Sequence, residues 1–315
     1  MLLHGFPTSS RQYGGLIRTL ARRYHVIAPD YLGFGRSDAP AADEFPYTFD
    51  RLADGVAGLL DQMGLDRYSL YLHDYGGPIG FRIAFAEPER VEGLIIQNTV
   101  AHLEGLSDEW KVRKAFWEDR ARYEEELRQA LLSADVARRR HTAGARLSES
   151  VDPETWNEEL AFLRRPGMVR IQLDLMYDYR SNVAAYPKWQ TYLRQRQPPA
   201  LVVWGRHDPL FTVAGALAFG RELPEATIHL LNAGHFALEE EGDLIADLVL
   251  RFLDRGVGHR RAVPPAPTRR EEAAGRFGRA GSARGERDSA REPARFTREE
   301  PAIPATGRSR GRSTV

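Results

Sequence analysis

The 315 residues are 42% hydrophobic and 28% charged, with 44 basic against 44 acidic side chains and no cysteine. That composition suits one large core or two modest ones, and it excludes disulfides, thiolate nucleophiles and Cys-based zinc sites, so any nucleophile is an oxygen or a nitrogen. The neutral total hides an asymmetry: residues 256–315 hold 14 Arg against 7 acidic residues, which leaves the preceding body at −7, the wrong sign for a nucleic-acid groove.

No apolar run approaches the ~20 residues of a membrane-spanning helix, and the N-terminus lacks the charged-then-apolar order of a secretory signal. Cytoplasm is the expected location. Met1-Leu2-Leu3 reads as the end of an apolar strand entering the turn His4-Gly5-Phe6-Pro7, so the start looks truncated. Residues 11–23 carry Leu16, Ile17 and Leu20 at helical spacing, and the apolar run Tyr24 to Pro29 predicts a short buried strand ending at Asp30. Gly33, Gly35 and Ser37 make a loop. Thr48 is placed to cap a helix carrying Leu52, Val56, Leu59, Leu60 and Met63, which Gly64 ends as a left-handed C′ residue.

Tyr68 to His73 then predicts a strand that runs straight into Asp74-Tyr75-Gly76-Gly77. A side chain at the tip of a tight strand-to-helix turn is strained and exposed, and the glycines let the backbone reverse without a Cβ clash. A carboxylate there can attack a saturated carbon and leave an ester that water must cleave. The competing account makes Asp74 only the N-cap of a helix over residues 77–87. Val91 to Gln97 is a further strand, and the strand–helix alternation implies a parallel sheet with helices on both faces.

From 101 to 198 charged helical segments follow one another without a convincing strand, which predicts an inserted helical lid. It is rich in aromatic residues, most of them expected to be packing. Beyond Pro198-Pro199 come a strand over 200–205, His207-Asp208-Pro209, a helix near 213–222, a strand over 227–231, Gly234-His235, and an amphipathic helix from about 240 to 253. The core is therefore expected at 1–100 and 199–257 around the lid at 101–198. Residues 258–315 are expected to be a disordered Arg-rich tail, because their composition buries too little surface to offset the entropy of ordering.

In an α/β sheet, reactive groups collect at the carboxyl ends of the strands, and Asp74, Asp208, His235 and His4-Gly5-Phe6-Pro7 each follow one. Taken singly, Asp208 before a proline reads as a turn initiator and His235 as a core histidine. Taken together, the order nucleophile, acid, histidine, with His-Gly-Phe-Pro at 4–7, Gly33-Phe34-Gly35-Arg36-Ser37 and His73-Asp74-Tyr75-Gly76-Gly77, resembles the α/β-hydrolase superfamily. The resemblance is closest to its Asp-nucleophile branch, the epoxide hydrolases and haloalkane dehalogenases, and runs from Leu2 to about Leu253. It implies an α/β-hydrolase fold, a mostly parallel sheet with helices on both faces and an inserted lid. The family's first two strands have no counterpart before His4, which would leave Tyr24 to Pro29 as an exposed edge.

The resemblance implies that Asp74 forms an alkyl ester, that His235 oriented by Asp208 activates water, and that the N–H groups of Phe6 and Tyr75 stabilise the oxyanion, without metal or cofactor. Glu104 is the rival acid, since some members place the acid after the next strand; Asp208 is preferred. His73, His207 and His229 are expected to be structural. An epoxide needs an acid for its alkoxide, and Asp178-Tyr179-Arg180-Ser181-Asn182 matches the placement of the lid tyrosine in epoxide hydrolases. Tyr179 is thus the expected acid, with Tyr123 or Tyr177 as a second. Haloalkane dehalogenases favour Trp after the nucleophile, and often Asn in the oxyanion loop, as halide donors; this chain has Tyr75 and Phe6. Fluoroacetate dehalogenases set arginines just after the nucleophile, where Tyr75 and Pro78 stand. The implied activity is hydrolysis of a small apolar epoxide to a diol, with no nucleic-acid or membrane partner. The alternatives are alkyl-halide hydrolysis, or a non-catalytic remnant or small-molecule receptor on the same fold; the presence of Asp74, Asp208 and His235 together argues for an enzyme.

Overall fold

Residues 1–256 are described by a computed structural model, so the tail expected over 258–315 lies outside the described residues. Among them, five parallel strands form a sheet in the spatial order β1 (Leu2–Leu3), β2 (Tyr68–His73), β3 (Val91–Gln97), β4 (Ala200–Gly205) and β5 (Thr227–Leu231). The helices of the core are α1 (Gly14–Leu20), α2 (Phe49–Gln62), α3 (Gly76–Ala86), α9 (Val213–Glu222) and α10 (Ala237–Gly256). Between β3 and β4 the chain is helical: α4 (Lys111–Glu118), α5 (Arg120–Leu132), α6 (Ala134–Thr142), α7 (Glu154–Leu163) and α8 (Met168–Arg196). No helix of the described residues is long and apolar enough to cross a membrane.

Successive strand residues face opposite sides, and the two sides have different partners. Leu70, Leu72, Leu94, Ile96, Val202 and Trp204 pack in one cluster with α2, α3 and α8. Tyr71, Ile95, Leu201 and Val203 pack in another with Leu16 and Leu20 of α1 and Ile245, Val249 and Leu253 of α10. The sheet is therefore covered on both faces, as a parallel sheet requires.

Tyr24 to Pro29 is not the strand its apolar pattern predicts. The segment runs beside β1 without joining the ladder, and the Leu2 N–H donates to the Ile27 carbonyl at 2.8 Å. β1 spans two residues, too short to template a longer pairing. The segment lies half-buried at that margin, with His25 exposed, rather than as an open edge.

A largely buried cation helps to anchor the helical segment to the core. Arg82 of α3 donates from Nη1 to Asn182 Oδ1 at 2.6 Å, from Nη2 to Ser181 Oγ at 3.0 Å and from Nε to Asp50. Its guanidinium lies 5.7 Å from the Phe49 ring and 5.4 Å from the Trp189 ring. Asp178, one turn earlier on α8, accepts from the Phe49 N–H at 2.8 Å, one of the donors that the start of α2 would otherwise leave unpaired. The Arg82 side chain is 13% exposed and that of Asp50 79% exposed. Hydrogen bonds from a buried charge contribute more than a surface ion pair. Arg82→Ala is therefore expected to lower stability by about 2 kcal/mol and Asp50→Ala by less than about 1 kcal/mol in urea unfolding. Equal, small losses from the two changes would show that the anchor lies elsewhere.

Candidate active site

The residues that end the strands converge at one end of the sheet. Asp74 follows β2 with φ +49°, a left-handed backbone that a non-glycine residue adopts only under constraint. The constraint is visible: its carbonyl accepts from the Thr99 hydroxyl at 2.8 Å and from the Gly77 N–H at 3.0 Å. Gly76 and Gly77 make the reversal possible, since a Cβ on the first would lie 2.0 Å from the Leu3 carbonyl oxygen and on the second 1.9 Å from Thr99 Oγ1. The turn after β1 brings the Phe6 N–H to Asp74 Oδ1 at 2.7 Å.

His235, after β5, lies with Nε2 3.8 Å from Asp74 Oδ2, and this buried nitrogen makes no hydrogen bond with the described residues. Its Nδ1–H donates to Asp208 Oδ2 at 2.7 Å. Asp208 is held from every side. Asn98 Nδ2 also donates to Oδ2, at 2.8 Å, while the N–H groups of Leu210 and Phe211 donate to Oδ1 at 2.7 and 3.1 Å. Asn98 is itself left-handed, at φ +40°, and its Oδ1 accepts from the Gly205 N–H at 2.9 Å. The imidazole is thus fixed with its free nitrogen toward Asp74.

The electrostatics set these groups apart. Burial raises the Asp74 carboxyl above its ordinary range, partly offset by His235 and by the N–H groups of Phe6 and Tyr75. Burial alone would depress His235, but the charge and hydrogen bond of Asp208, with Asp74 behind, outweigh it and lift the imidazole above its ordinary value. Burial, reinforced by Tyr186 and Asp74, pushes the Tyr179 phenol well up, so it stays protonated.

Tyr179 is packed among rings: Trp110 at 4.5 Å, Phe49 at 5.6 Å, Tyr75 at 5.9 Å and Trp117 stacked at 6.1 Å. Its hydroxyl and that of Tyr186 are buried beside each other, and neither completes a hydrogen bond to any other described residue. Tyr177 and Tyr123 are not brought to this place. At 100° per residue, Tyr177 lies about 200° round α8 from Tyr179, whereas Tyr186, seven residues on, shares its face. Tyr177 packs against Phe116 between Arg120 and Arg180, and Tyr123 lies under Arg122.

Glu104 is exposed and paired with Arg221, away from His235. His73 supports the site from behind, its Nε2–H 3.2 Å from the His235 carbonyl oxygen and its ring 4.9 Å from that of His235. His207 bonds Asn232 at the surface and His229 is half-buried in β5. The sequence reading missed Asn98, Thr99 and Arg140, whose guanidinium lies 5.3 Å from the centre of the Phe6 ring. Asn98 carried a usable signal, because an Asn directly after a strand tolerates the left-handed backbone; Thr99 and Arg140 carried none.

A family model described as alpha/beta hydrolase fold matches residues 1–242. The chain belongs to that family. It is 37% identical to the uncharacterized hydrolase YNR064C of Saccharomyces cerevisiae over 79% of this chain and 87% of that protein. It is 27% identical to a cis-3-alkyl-4-alkyloxetan-2-one decarboxylase of Shewanella oneidensis over 80% of this chain and 81% of that protein. A shorter stretch, 31% of this chain and 34% of the relative, is 41% identical to haloalkane dehalogenase 2 of Mycobacterium tuberculosis.

In this hydrolase the His235 titration reads the electrostatic balance directly. Its midpoint, followed by NMR of the ring nitrogens, is expected above the ordinary histidine value. Asp208→Asn removes the chief influences that raise it and leaves burial, so the midpoint is expected to fall. A midpoint that stays or rises in the variant contradicts this account of the pair.

Proposed function

We propose that the protein hydrolyses epoxides through a covalent ester on Asp74. The Tyr179 hydroxyl carries this reading: buried, shared only with the Tyr186 hydroxyl, kept protonated by its surroundings, and part of a side chain packed against Tyr75 beside the nucleophile. A carboxylate can displace many leaving groups, but only a strained oxygen ring leaves an alkoxide, which is far more basic than a phenolate and takes its proton.

The steps follow from the residues. An Asp74 carboxylate oxygen attacks a ring carbon, the carbon–oxygen bond of the epoxide breaks, and its electron pair leaves on the oxygen, which takes the Tyr179 proton. The ester that results is neutral. His235 Nε2 then takes a proton from water as that water attacks the ester carbonyl, and the N–H groups of Phe6 and Tyr75 receive the oxyanion, each such donor being worth about 3 kcal/mol in comparable sites. Collapse expels the second diol oxygen, which takes the imidazolium proton, and the new Asp74 carboxyl, carrying one oxygen from water, gives its proton back to the Tyr179 phenolate, so both groups return to their starting state.

The halide reading has less support. Trp110 Nε1–H donates to the Leu210 carbonyl at 3.1 Å and Trp117 Nε1–H to the Met176 carbonyl at 2.8 Å, so the indoles around Tyr179 have no donor left for a halide. The oxetanone named for the Shewanella relative is another strained oxygen ring, which agrees with an oxygen leaving group.

Intact mass spectrometry tests the covalent step: His235→Gln exposed to an epoxide is expected to gain the mass of one epoxide, and Asp74→Asn none. Tyr179→Phe is expected to slow ester formation by 10²–10⁴, roughly 3 to 5 kcal/mol, less if Tyr186 shares the load, while scarcely changing hydrolysis of an ester already formed. Rapid quench separates the two rates. Unchanged alkylation in Tyr179→Phe, or a wild type that releases halide from alkyl halides and ignores epoxides, would sink the reading. Stable binding of an epoxide without turnover would indicate a receptor.

A further inference from the structure

Two arginines outside the reacting groups lie against aromatic rings around the site. The Arg140 guanidinium, on α6, lies over the Phe6 ring at 5.3 Å, and Phe6 is the residue whose N–H holds Asp74. The Arg113 guanidinium, on α4, lies over the Trp110 ring at 5.1 Å. Trp110 packs in turn on Tyr179 and on Phe211, which meets the His235 ring at 5.6 Å.

Arg140 is fixed from behind by a chain of charges. Its Nη1 meets Glu159, whose other oxygen lies 3.1 Å from His141 Nε2, and His141 Nδ1 reaches Glu239 at 3.1 Å. The side chains of Arg140, Glu159 and His141 are 10%, 1% and 1% exposed. No hydrogen bond joins Nε or Nη2 of Arg140 to an acceptor among the described residues, and Arg113 has no carboxylate partner among them. Burial and the neighbouring Arg113 lower Arg140 to about 10, which still leaves it charged at neutral pH.

This arrangement is costly for a neutral substrate. Burying a paired cation is already expensive. The Arg140 cation also interacts favourably with the Asp74 carboxylate, and that interaction is lost when the carboxylate becomes a neutral ester. A substrate that brings its own anion removes the conflict, because the cations keep a partner throughout.

We propose that the electrophile is an epoxide bearing a carboxylate on the carbon next to the one attacked, held by Arg140 and Arg113. Guanidinium N–H groups match a carboxylate in shape, and charge-assisted hydrogen bonds are strong where water is excluded. The carboxylate is unchanged in the reaction. This inference rests on the epoxide reading and narrows the small apolar epoxide expected from the sequence to an epoxy acid.

The test compares 3-phenylglycidate with 3-phenylglycidamide, which differ in charge and little in shape. In the wild type, kcat/KM for the carboxylate is expected to exceed that for the amide by about tenfold or more. Arg113→Gln, which orphans no carboxylate, is expected to bring the ratio toward one, chiefly through KM of the glycidate. The paired change Arg140→Gln with Glu159→Gln, which avoids a lone buried carboxylate, is expected to do the same. Calorimetric binding of the unreactive pair phenylacetate and phenylacetamide gives a second readout, with the carboxylate binding more tightly only while the arginines are present. Equal turnover of the two epoxides, or a preference for the amide, overturns this inference and leaves the epoxide reading standing. If neither epoxide alkylates Asp74, the epoxide reading fails; tighter phenylacetate binding then still supports the carboxylate site, and equal binding removes it as well.

Discussion

The geometry of the site depends on one backbone conformation, the left-handed turn at Asp74. A non-glycine residue held there costs of order 1–3 kcal/mol, and the surrounding chain over-determines it. Thr99 and Gly77 hold the Asp74 carbonyl while Phe6 holds its carboxylate. Gly5 allows the approach, since a Cβ there would lie 2.7 Å from the Cβ of Asp74. The donors come from three separate stretches of chain, so the turn forms fully only once β1, β2 and β3 are side by side. Its strain and the assembly of the sheet are one event.

The same convergence gives two carboxylates opposite characters. Asp208 receives hydrogen bonds from His235, Asn98, Leu210 and Phe211, which fix its position against the imidazole. Asp74 is buried with fewer donors, and burial raises it. A less stabilised carboxylate is the better nucleophile, and a fully bonded one is the better anchor. Asn98 links the two roles, because its other end is tied to the Gly205 N–H at the carboxyl end of β4, and it sits beside Thr99, which fixes Asp74.

What could be read from the sequence was what neighbours in sequence determine. The strand-to-helix turn at Asp74 is legible only together with the stretches at 4–7, 208 and 235, since alone its carboxylate reads equally as a helix N-cap, and the strands of the central sheet are legible as short apolar runs bounded by turns. Tyr24 to Pro29 failed on the same logic: its pattern is that of a strand, but strand formation needs a partner, and the two residues of β1 supply little ladder. Thr99 and Arg140 were invisible, and the role of Asn98 was not deducible from its one local signal, because their partners lie far along the chain, as with the separation of 110 between Asn98 and Asp208. Distance along the sequence pointed to Tyr123, with Tyr177 as its rival, whereas rotation about the helix axis puts Tyr186 on the face of Tyr179.

Rotation also explains why Tyr179 sits in a stretch of polar residues. Asp178, Ser181 and Asn182 occupy one face of α8 and bind the start of α2 and Arg82 of α3, the helix that the elbow itself begins. Tyr179 lies about 100° from Asp178, and so it is turned toward the rings around Asp74 by the same contacts that hold the helix down. The polar residues are therefore an alignment device as much as an anchor. In the proposed reaction a proton donor displaced by about 1 Å can lose on the order of 10² in rate, so under that proposal loosening Arg82 would reach the chemistry through Tyr179 without touching a reacting atom.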